Sequence, residues 1–410
     1  MLHFWTNMTD GILYFIWIII QILIGYNLVL PLLLFFFYKF RQSFYRKKAA
    51  VLSSSSDPDY AIIITAYEQT DLLPSVVSSV LNLTYTNYLV YVVADNCDIS
   101  QLHFNDERVI LLNPETTLAS NTASHFYAIN RFRRDHTHLT IIDSDNLVDK
   151  DYLSELNAYF RLGFSAVQGL RKAKNLDTTY ASIDAARDIY YHYYDGKLLF
   201  GSGSSATLDG SGMAFSIALY RKCLEHLHIT GAGFDKVLQY QIVNRGYRIA
   251  FAEEAVLYDE KTAYAPQLIK QRSRWINTWF RYFRFGFTLL GKGLRNGNFN
   301  QFMFGLTLLR PPLFIFIILS VIFLSINIFY NINVAMAWII ALAIFVAGFT
   351  LALTASKTPA KIYKALLNIP IFILLQVISL FRIRTANKVQ VASKHIHKNI
   401  DVTGITTESK

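Results

Sequence analysis

Apolar residues crowd the two ends of this chain, and in the middle they alternate with polar ones. Residues 11–37 carry no charge and include Ile18, Ile19, Ile20, Leu32, Leu33 and Leu34. That run exceeds the roughly 20 apolar residues a membrane-spanning helix needs. No Lys or Arg stands before it, whereas a cleaved signal peptide starts with basic residues, so the segment reads as a retained anchor. Residues 311–329 and 334–354 predict a helical hairpin with a short uncharged link at 330–333. A last run, 365–381, is shorter, contains Pro370 and is followed by Arg382, Arg384, Lys388, Lys394 and Lys398. It is expected to lie in the interface or re-enter, because crossing would put a basic tail outside.

Between these blocks the period changes. Residues 60–65, 89–94, 109–112 and 139–142 are β-branched runs of strand length, and 72–81 and 122–132 have helical spacing. Strands alternating with helices predict an α/β domain with a mainly parallel sheet, inserted between transmembrane helices. The expected divisions are an anchor at 1–40, the α/β domain at 57–265 and an amphipathic interface region at 266–300. Transmembrane or interfacial helices at 301–382 and a basic tail at 383–410 complete them.

Of the 410 residues 53% are hydrophobic and the net charge is +10. Many basic residues flank the apolar runs, where anionic lipid headgroups attract them, so membrane lipids rather than nucleic acid are the expected partners. Lys39, Arg41, Arg46, Lys47 and Lys48 follow the anchor and Lys357, Lys361 and Lys364 follow the hairpin. By the positive-inside rule the α/β domain is then cytoplasmic, in an integral protein of the cell inner or plasma membrane. Cys97 and Cys223 are too few for a disulfide framework and are expected to be reduced. The serine run at 53–56 reads as a linker.

Parallel sheets bind ligands beyond the carboxyl ends of their strands. One predicted strand ends in Ala94, Asp95, Asn96, Cys97 and Asp98, and another in Ile142, Asp143, Ser144, Asp145 and Asn146. Asp95 is placed to accept hydrogen bonds from a base or ribose. If the backbone stays extended, Asp143 and Asp145 point the same way. Two such carboxylates suit Mg2+ or Mn2+ with substrate phosphate completing the shell. Asp is also common in turns, so it is the position after a buried strand that gives the pair weight. Gly201, Gly203, Gly210 and Gly212 lie in a Gly-Ser-rich run that lacks the strand-to-helix setting of a dinucleotide fingerprint.

Six blocks in order carry a resemblance. They are Ile-Ile-Ile-Thr-Ala-Tyr-Glu at 62–68, Val-Val-Ala-Asp-Asn-Cys-Asp at 92–98, Ile-Ile-Asp-Ser-Asp-Asn at 141–146, Leu-Asp-Gly-Ser-Gly-Met-Ala-Phe at 208–215, Gly-Phe-Asp-Lys at 233–236 and Gln-Arg-Ser-Arg-Trp at 271–275. Together they resemble the membrane family-2 glycosyltransferases, which include cellulose, hyaluronan and poly-N-acetylglucosamine synthases. The resemblance implies a GT-A domain in which Asp95 and Asp143 meet the donor nucleotide and Asp145, helped by Asp143, holds Mg2+ or Mn2+ on its diphosphate. It implies Asp235 as catalytic base, and Gln271, Trp275, Gly210, Ser211 and Gly212 as the acceptor side. The family usually has an acid before that base, but here Phe234 stands there, which leaves Glu253 or Glu254 as the fallback. Where many relatives carry Gly-Lys, this chain has Ser-Asn-Thr-Ala-Ser-His at 120–125, with Asn121 or His125 as candidate replacements.

Sugar transfer from a nucleoside diphosphate requires charge compensation on the leaving group and a base for the acceptor hydroxyl. Arg272 and Arg274 can supply the first, because a guanidinium fork matches phosphate oxygens. Trp275 shares a helical face with Gln271 and offers a sugar a flat platform. Trp279, Tyr282, Phe283, Phe285 and Phe287 are interleaved with Arg281 and Arg284, as in a helix lying among lipid headgroups. The expected function is inverting transfer of a sugar, UDP-linked, to a growing poly- or oligosaccharide, with other exopolysaccharide-synthesis or export subunits as partners. The alternatives are non-processive transfer to a polyprenyl phosphate carrier, which the small number of spans favours, and a non-catalytic saccharide- or nucleotide-binding subunit, which rests on Phe234 alone.

Overall fold

A computed structural model describes residues 2–45 and 57–383. Arg46, Lys47, Lys48, the run 53–56 and the basic tail from 384 lie outside the described residues. The chain opens with one long helix, α1 (Leu2–Tyr45). The α/β domain follows as β1 (Tyr60–Tyr67), α2 (Leu73–Leu81), β2 (Tyr88–Asp95), β3 (Val109–Leu112), α3 (Asn121–Ile129), β4 (His138–Asp143), β5 (Leu147–Val148), α4 (Tyr152–Arg161) and β6 (Ala166–Ala173). Next come α5 (Thr179–Tyr191), a π-helical turn (His192–Leu198), α6 (Leu199–Gly201), β7 (Met213–Ser216), α7 (Ile217–Leu224), α8 (Phe234–Asn244) and β8 (Ala250–Asp259).

The strands form one sheet in the order β3-β2-β1-β4-β7-β6-β8-β5. Pairs β1/β2, β1/β4, β2/β3 and β6/β8 are parallel, whereas β7 runs antiparallel to β4 and β6, and β5 to β8. The central strands are apolar throughout because both faces are covered, which is the usual condition of parallel strands. Ile63, Tyr91 and Ile141 face one buried cluster, and Ile62, Val90 and Ile142 face the other.

After β8 the chain turns into α9 (Ala265–Tyr282), α10 (Arg284–Asn296) and α11 (Phe299–Leu309). The expected interface region is thus two helices broken at Phe283. Next follow α12 (Leu313–Tyr330), α13 (Ile332–Ala355), α14 (Ala360–Ala365), a short 3-10 turn (Leu366–Asn368) and α15 (Ile369–Phe381). Among the described residues, four segments are long and apolar enough to cross a membrane: Leu13–Gln42, Leu313–Tyr330, Ile332–Ala355 and Ala360–Phe381. Three of them, α1, α12 and α13, pack together around Leu28, Phe316, Phe323, Trp338 and Phe345. Inside this bundle Gln21 Oε1 accepts from Asn327 Nδ2 at 2.7 Å and from Trp338 Nε1 at 2.9 Å.

The fourth segment keeps different company. Ala365 and Phe372 pack on Ile183 of α5 and Leu268 of α9, and Ser273 Oγ donates to the Ser379 carbonyl at 2.9 Å.

The π-helical turn joins the α/β domain to the bundle. Tyr190, Tyr193, Tyr194 and Leu198 share the core of α1, α12 and α13, and Tyr194 donates to the Gly348 carbonyl at 2.8 Å. Two glycines let α1 come close beside it. A Cβ at Gly201 would lie 2.3 Å from the Tyr38 ring and one at Gly203 2.0 Å from Arg41 Nη1. Arg41 donates to the Ser202 carbonyl between them at 3.0 Å. These glycines are where a helix docks.

Candidate active site

A cavity of about 1220 Å³ opens beyond the carboxyl ends of β1 and β4. Asp143 closes β4 opposite Thr65 of β1, and both line the cavity. The backbone does not stay extended after Asp143, contrary to the sequence-based expectation. It turns, with Asn146 N bonded to the Asp143 carbonyl at 3.1 Å, because Asn146 holds the turn from inside. Its side chain accepts from Ser211 Oγ at 2.6 Å and donates to Asp145 at 3.1 Å, while Ser211 Oγ accepts from Asp143 N at 3.0 Å. The turn still delivers Asp143 and Asp145 to one cavity.

Ser211 therefore braces the carboxylate turn from behind. It is fully buried, and only Gly210 of the Gly210–Gly212 segment lines the cavity. Asp95 stands outside the lining as well. It is 2% exposed, and its two oxygens accept from Leu118 N at 2.9 Å and Ala119 N at 2.8 Å. It ties down the segment before α3, with Ala119 at φ 46°. At that end the cavity wall is Tyr67, Glu68 and Asn121.

Across from Asp143 and Asp145 is the start of α8. Gly233 caps it at φ 99°, and a Cβ there would lie 2.6 Å from Thr278 Cγ2 and 2.7 Å from the Tyr282 ring. That contact presses the first turn of α8 against α9. Asp235 lies in this turn, where the exposed backbone N–H groups favour an anion, and it pairs with Lys236 Nζ at 3.0 Å. Lys236 also donates to the Leu208 carbonyl at 2.9 Å. Burial pulls the Lys236 ammonium down, but Asp235 and Asp209 outweigh it and hold its pKa raised. Phe234 is buried, edge-on to His125 at 5.2 Å. His125 is enclosed with its Nδ1 2.7 Å from the Tyr220 hydroxyl, and burial pushes its pKa down to about 3. Asn121 therefore reaches the cavity and His125 does not. Glu253 pairs with Lys197 at 2.7 Å and Glu254 is exposed, and both are outside the lining.

Helix α9 forms the third wall with Gln271, Arg272, Arg274 and Trp275. Gln271 Oε1 accepts from Thr262 at 3.2 Å. Arg272, 2% exposed, pairs with buried Asp184 of α5 while its Nε and Nη1 find no partner among the described residues. Burial, with Arg187 acting in the same direction, lowers its pKa to about 10. Arg274 is partly buried, and its side chain makes no hydrogen bond with any described residue. Trp275 is 41% exposed, and the guanidiniums of Arg272 and Arg187 lie 4.1 Å and 4.5 Å from its ring centroid. Trp279, Tyr282, Phe283 and Phe285 also line the cavity. Phe287 is 60% exposed.

Much of the remaining wall has no counterpart in the sequence reading. Arg171 pairs with Asp259, Lys261 with Asp259 and Asp188, and Arg187 with Asp188 and Asp184. Alternation of this kind lets buried charges persist, since each removed from water has a partner. His192 Nε2 lies 3.1 Å from Asp209, and Asp195 pairs with Arg310 just before α12. The available signal was the spacing of Asp184, Arg187, Asp188 and His192 along one helix.

The profile of the family described as glycosyltransferase like family 2 matches residues 58–278, more than half of the chain. No curated protein matches. Among solved structures, the mannosyltransferase PcManGT from Pyrobaculum calidifontis in complex with GDP-Man and Mn2+ is similar at 14% identity. That match covers 88% of this chain and 98% of the other, at a TM-score of 0.49. S. aureus TarS 1–349 is similar at 12% identity over 61% of this chain and 90% of the other, at a TM-score of 0.36.

Proposed function

This chain belongs to the glycosyltransferase-like family 2, with a GT-A domain set between apolar helices, and on that premise we propose an inverting transfer from a UDP-linked sugar to a growing poly- or oligosaccharide. The observation that carries this reading is convergence. Asp143 and Asp145 after β4, Asp235 at the start of α8, and Gln271, Arg274 and Trp275 on α9 line a single cavity.

Two carboxylates two residues apart at a strand end fit Mg2+ or Mn2+, which takes one or two protein carboxylates and fills its shell with water and phosphate. Such an ion, when held by Asp143 and Asp145, neutralises charge on the departing diphosphate. Arg274, whose side chain bonds no described residue, is available to the same diphosphate oxygens. Asp235 takes the proton from the acceptor hydroxyl. That oxygen bonds to the anomeric carbon as the bond to the diphosphate breaks, and the electron pair leaves with the nucleoside diphosphate. One displacement inverts the centre and leaves no sugar on the enzyme. Arg272 acts indirectly, as its pair with Asp184 sets the face of Trp275 that an acceptor ring meets. Asp95 acts through the backbone it holds at Leu118 and Ala119, beside the donor end.

Lys39 and Arg41, which follow the uncharged run 11–37 near the end of the first candidate span, and Lys357, Lys361 and Lys364 after α13, support a cytoplasmic catalytic domain at the inner or plasma membrane. The neighbours of α15, on α5 and α9, support an interfacial last segment.

The test is a screen of the purified full chain against UDP- and GDP-sugars with Mg2+ or Mn2+, reading nucleoside diphosphate release and saccharide mass. Asp235→Asn should keep donor affinity and lose transfer, and near-normal transfer would remove Asp235 from the mechanism. Full turnover in excess chelator, or by Asp145→Ala, would remove the ion.

A further inference from the structure

Past Asp235 the cavity continues away from the strand ends, along α5 and the π-helical turn, to the residues that lead into α12. The lining of this arm alternates between guanidinium and aromatic ring. Arg272 lies 4.1 Å and Arg187 4.5 Å from the centroid of the Trp275 ring. Arg187 lies 5.8 Å and Arg310 5.4 Å from the centroid of the Tyr191 ring. The series Arg272, Trp275, Arg187, Tyr191, Arg310 thus leads from the transfer site to the membrane end of the domain.

Each member of the series has a chemistry. Aromatic faces stack on the apolar face of a sugar ring, and a guanidinium fork takes phosphate oxygens. Arg310 is buried in the lining, and its side chain makes one hydrogen bond among the described residues, to Asp195, which leaves the rest of its fork without an acceptor among them. Immediately beyond it the lining becomes apolar, with Leu308, Pro311, Pro312, Leu313 and Phe314, and α12 begins there as a candidate membrane span. Sugar platforms, then a phosphate fork, then hydrocarbon is the order of groups in a saccharide attached through phosphate to a membrane lipid. The packing of the bundle agrees with this. The space between α1, α12 and α13 is filled by Leu28, Phe316, Phe323, Trp338 and Phe345, so a lipid handle, rather than passage between these helices, accounts for how a saccharide stays with the enzyme.

We propose that the acceptor is a lipid-phosphate-linked saccharide, with its sugars along Trp275 and Tyr191, its phosphate at Arg310 beside Asp195, and its hydrocarbon following the apolar start of α12. The proposal rests on the transferase reading and names the acceptor class of that site.

The test uses the full chain in nanodiscs of phosphatidylcholine and phosphatidylglycerol. Two probes are compared: farnesyl-diphosphate-linked N-acetylglucosamine and the soluble N-acetylglucosamine 1-phosphate. Removing Arg310 alone would strand a buried Asp195 and threaten folding, so the variant is D195N/R310Q, which removes both charges together. Tyr191→Leu, which keeps the ion pair, is the second variant. The lipid-linked probe should bind at least about tenfold more tightly than the soluble phosphate, and each variant should lose about tenfold of that affinity with UDP binding unchanged. Equal affinity for the two probes, or lipid-probe affinity unchanged in both variants, would overturn the proposal. Release of nucleoside diphosphate separates the two readings. Turnover without preference for the lipid probe sinks only this inference, whereas Arg310-dependent lipid binding without turnover of any nucleotide sugar sinks the transferase reading and leaves the site.

Discussion

Substituting Gly233 by alanine tests how the α8–α9 contact sets the proposed base. Gly233 has φ 99°, and its added Cβ would meet Thr278 Cγ2 at 2.6 Å and Tyr282 Cε2 at 2.7 Å. Comfortable carbon contacts are about 3.5–4.0 Å, so the shortfall is about 1 Å. If the backbone holds, the left-handed conformation costs about 1–2 kcal/mol for a residue with a Cβ, and overpacking adds about 1–3 kcal/mol. If the backbone gives, the first turn of α8 moves off α9 and carries Asp235 with it. A misplacement of about 1 Å costs on the order of 100-fold in turnover. Gly246→Ala is the control, since its φ is 84° but an added Cβ meets nothing within 4 Å, so it reports strain alone. Melting in detergent by tryptophan fluorescence and nucleoside diphosphate release are read on all three proteins. Gly233→Ala should lose more stability than Gly246→Ala, or lose turnover that Gly246→Ala retains. A Gly233→Ala protein matching the control in both would refute the argument that this contact positions Asp235.

Ser211→Ala removes the acceptor of the Asp143 amide and the donor to Asn146. Leaving a buried N–H unpaired costs about 1–3 kcal/mol, so metal-dependent donor binding should weaken about tenfold or more by calorimetry in a folded protein. His125 gives a pH dependence. Its pKa is about 3 when folded and about 6.5 when unfolded, so below pH 6.5 the unfolded chain binds a proton that the folded one does not. Its contribution is complete above pH 6.5 and falls by about 1.4 kcal/mol per unit toward pH 3, about 2 kcal/mol by pH 5. His138, lowered by burial to about 4, adds in the same sense. Denaturant midpoints should fall from pH 6.5 to 5, less steeply in His125→Leu, and a flat profile would contradict this. In the helical bundle, Gln21→Leu leaves Asn327 and Trp338 without their shared acceptor and should cost about 1 kcal/mol in detergent unfolding. Gln21→Leu/Asn327→Leu should recover part of the loss.

What could be read in the sequence was whatever a local pattern dictates. Strands β1 to β4 were visible because β-branched runs fit a sheet buried on both faces, and Asp143 and Asp145 stood out because they end one such run. The turn after Asp143 was not visible, since Ser211, which fixes it, lies far along the chain. The charged wall of α5 was missed for a similar reason. Asp184, Arg187 and Asp188 at helical spacing look like a solvated face, and only the arrival of Arg272, Asp259 and Lys261 from other elements makes that face interior. The place of Trp279 and Phe283 in the cavity wall was not visible because a cavity wall and a headgroup layer ask the same thing of a helix, a half-apolar surface with polar neighbours. Asp95 was found at its strand end, but nothing local announced that the Leu118 and Ala119 amides would occupy its oxygens.

The seat of α1 on Gly201 and Gly203 determines how the catalytic domain can move. Gripped by Tyr38 and Arg41 before the sheet begins, and joined through Tyr194 to α13 behind it, the domain is moored at several points rather than leashed by one. A leashed catalyst sweeps a volume and meets substrates wherever the tether allows. A moored one works at a single altitude above the bilayer, with its mouth in one compass direction. For such a protein the depth at which an acceptor rides in the leaflet becomes a criterion of selection, alongside the identity of its sugar.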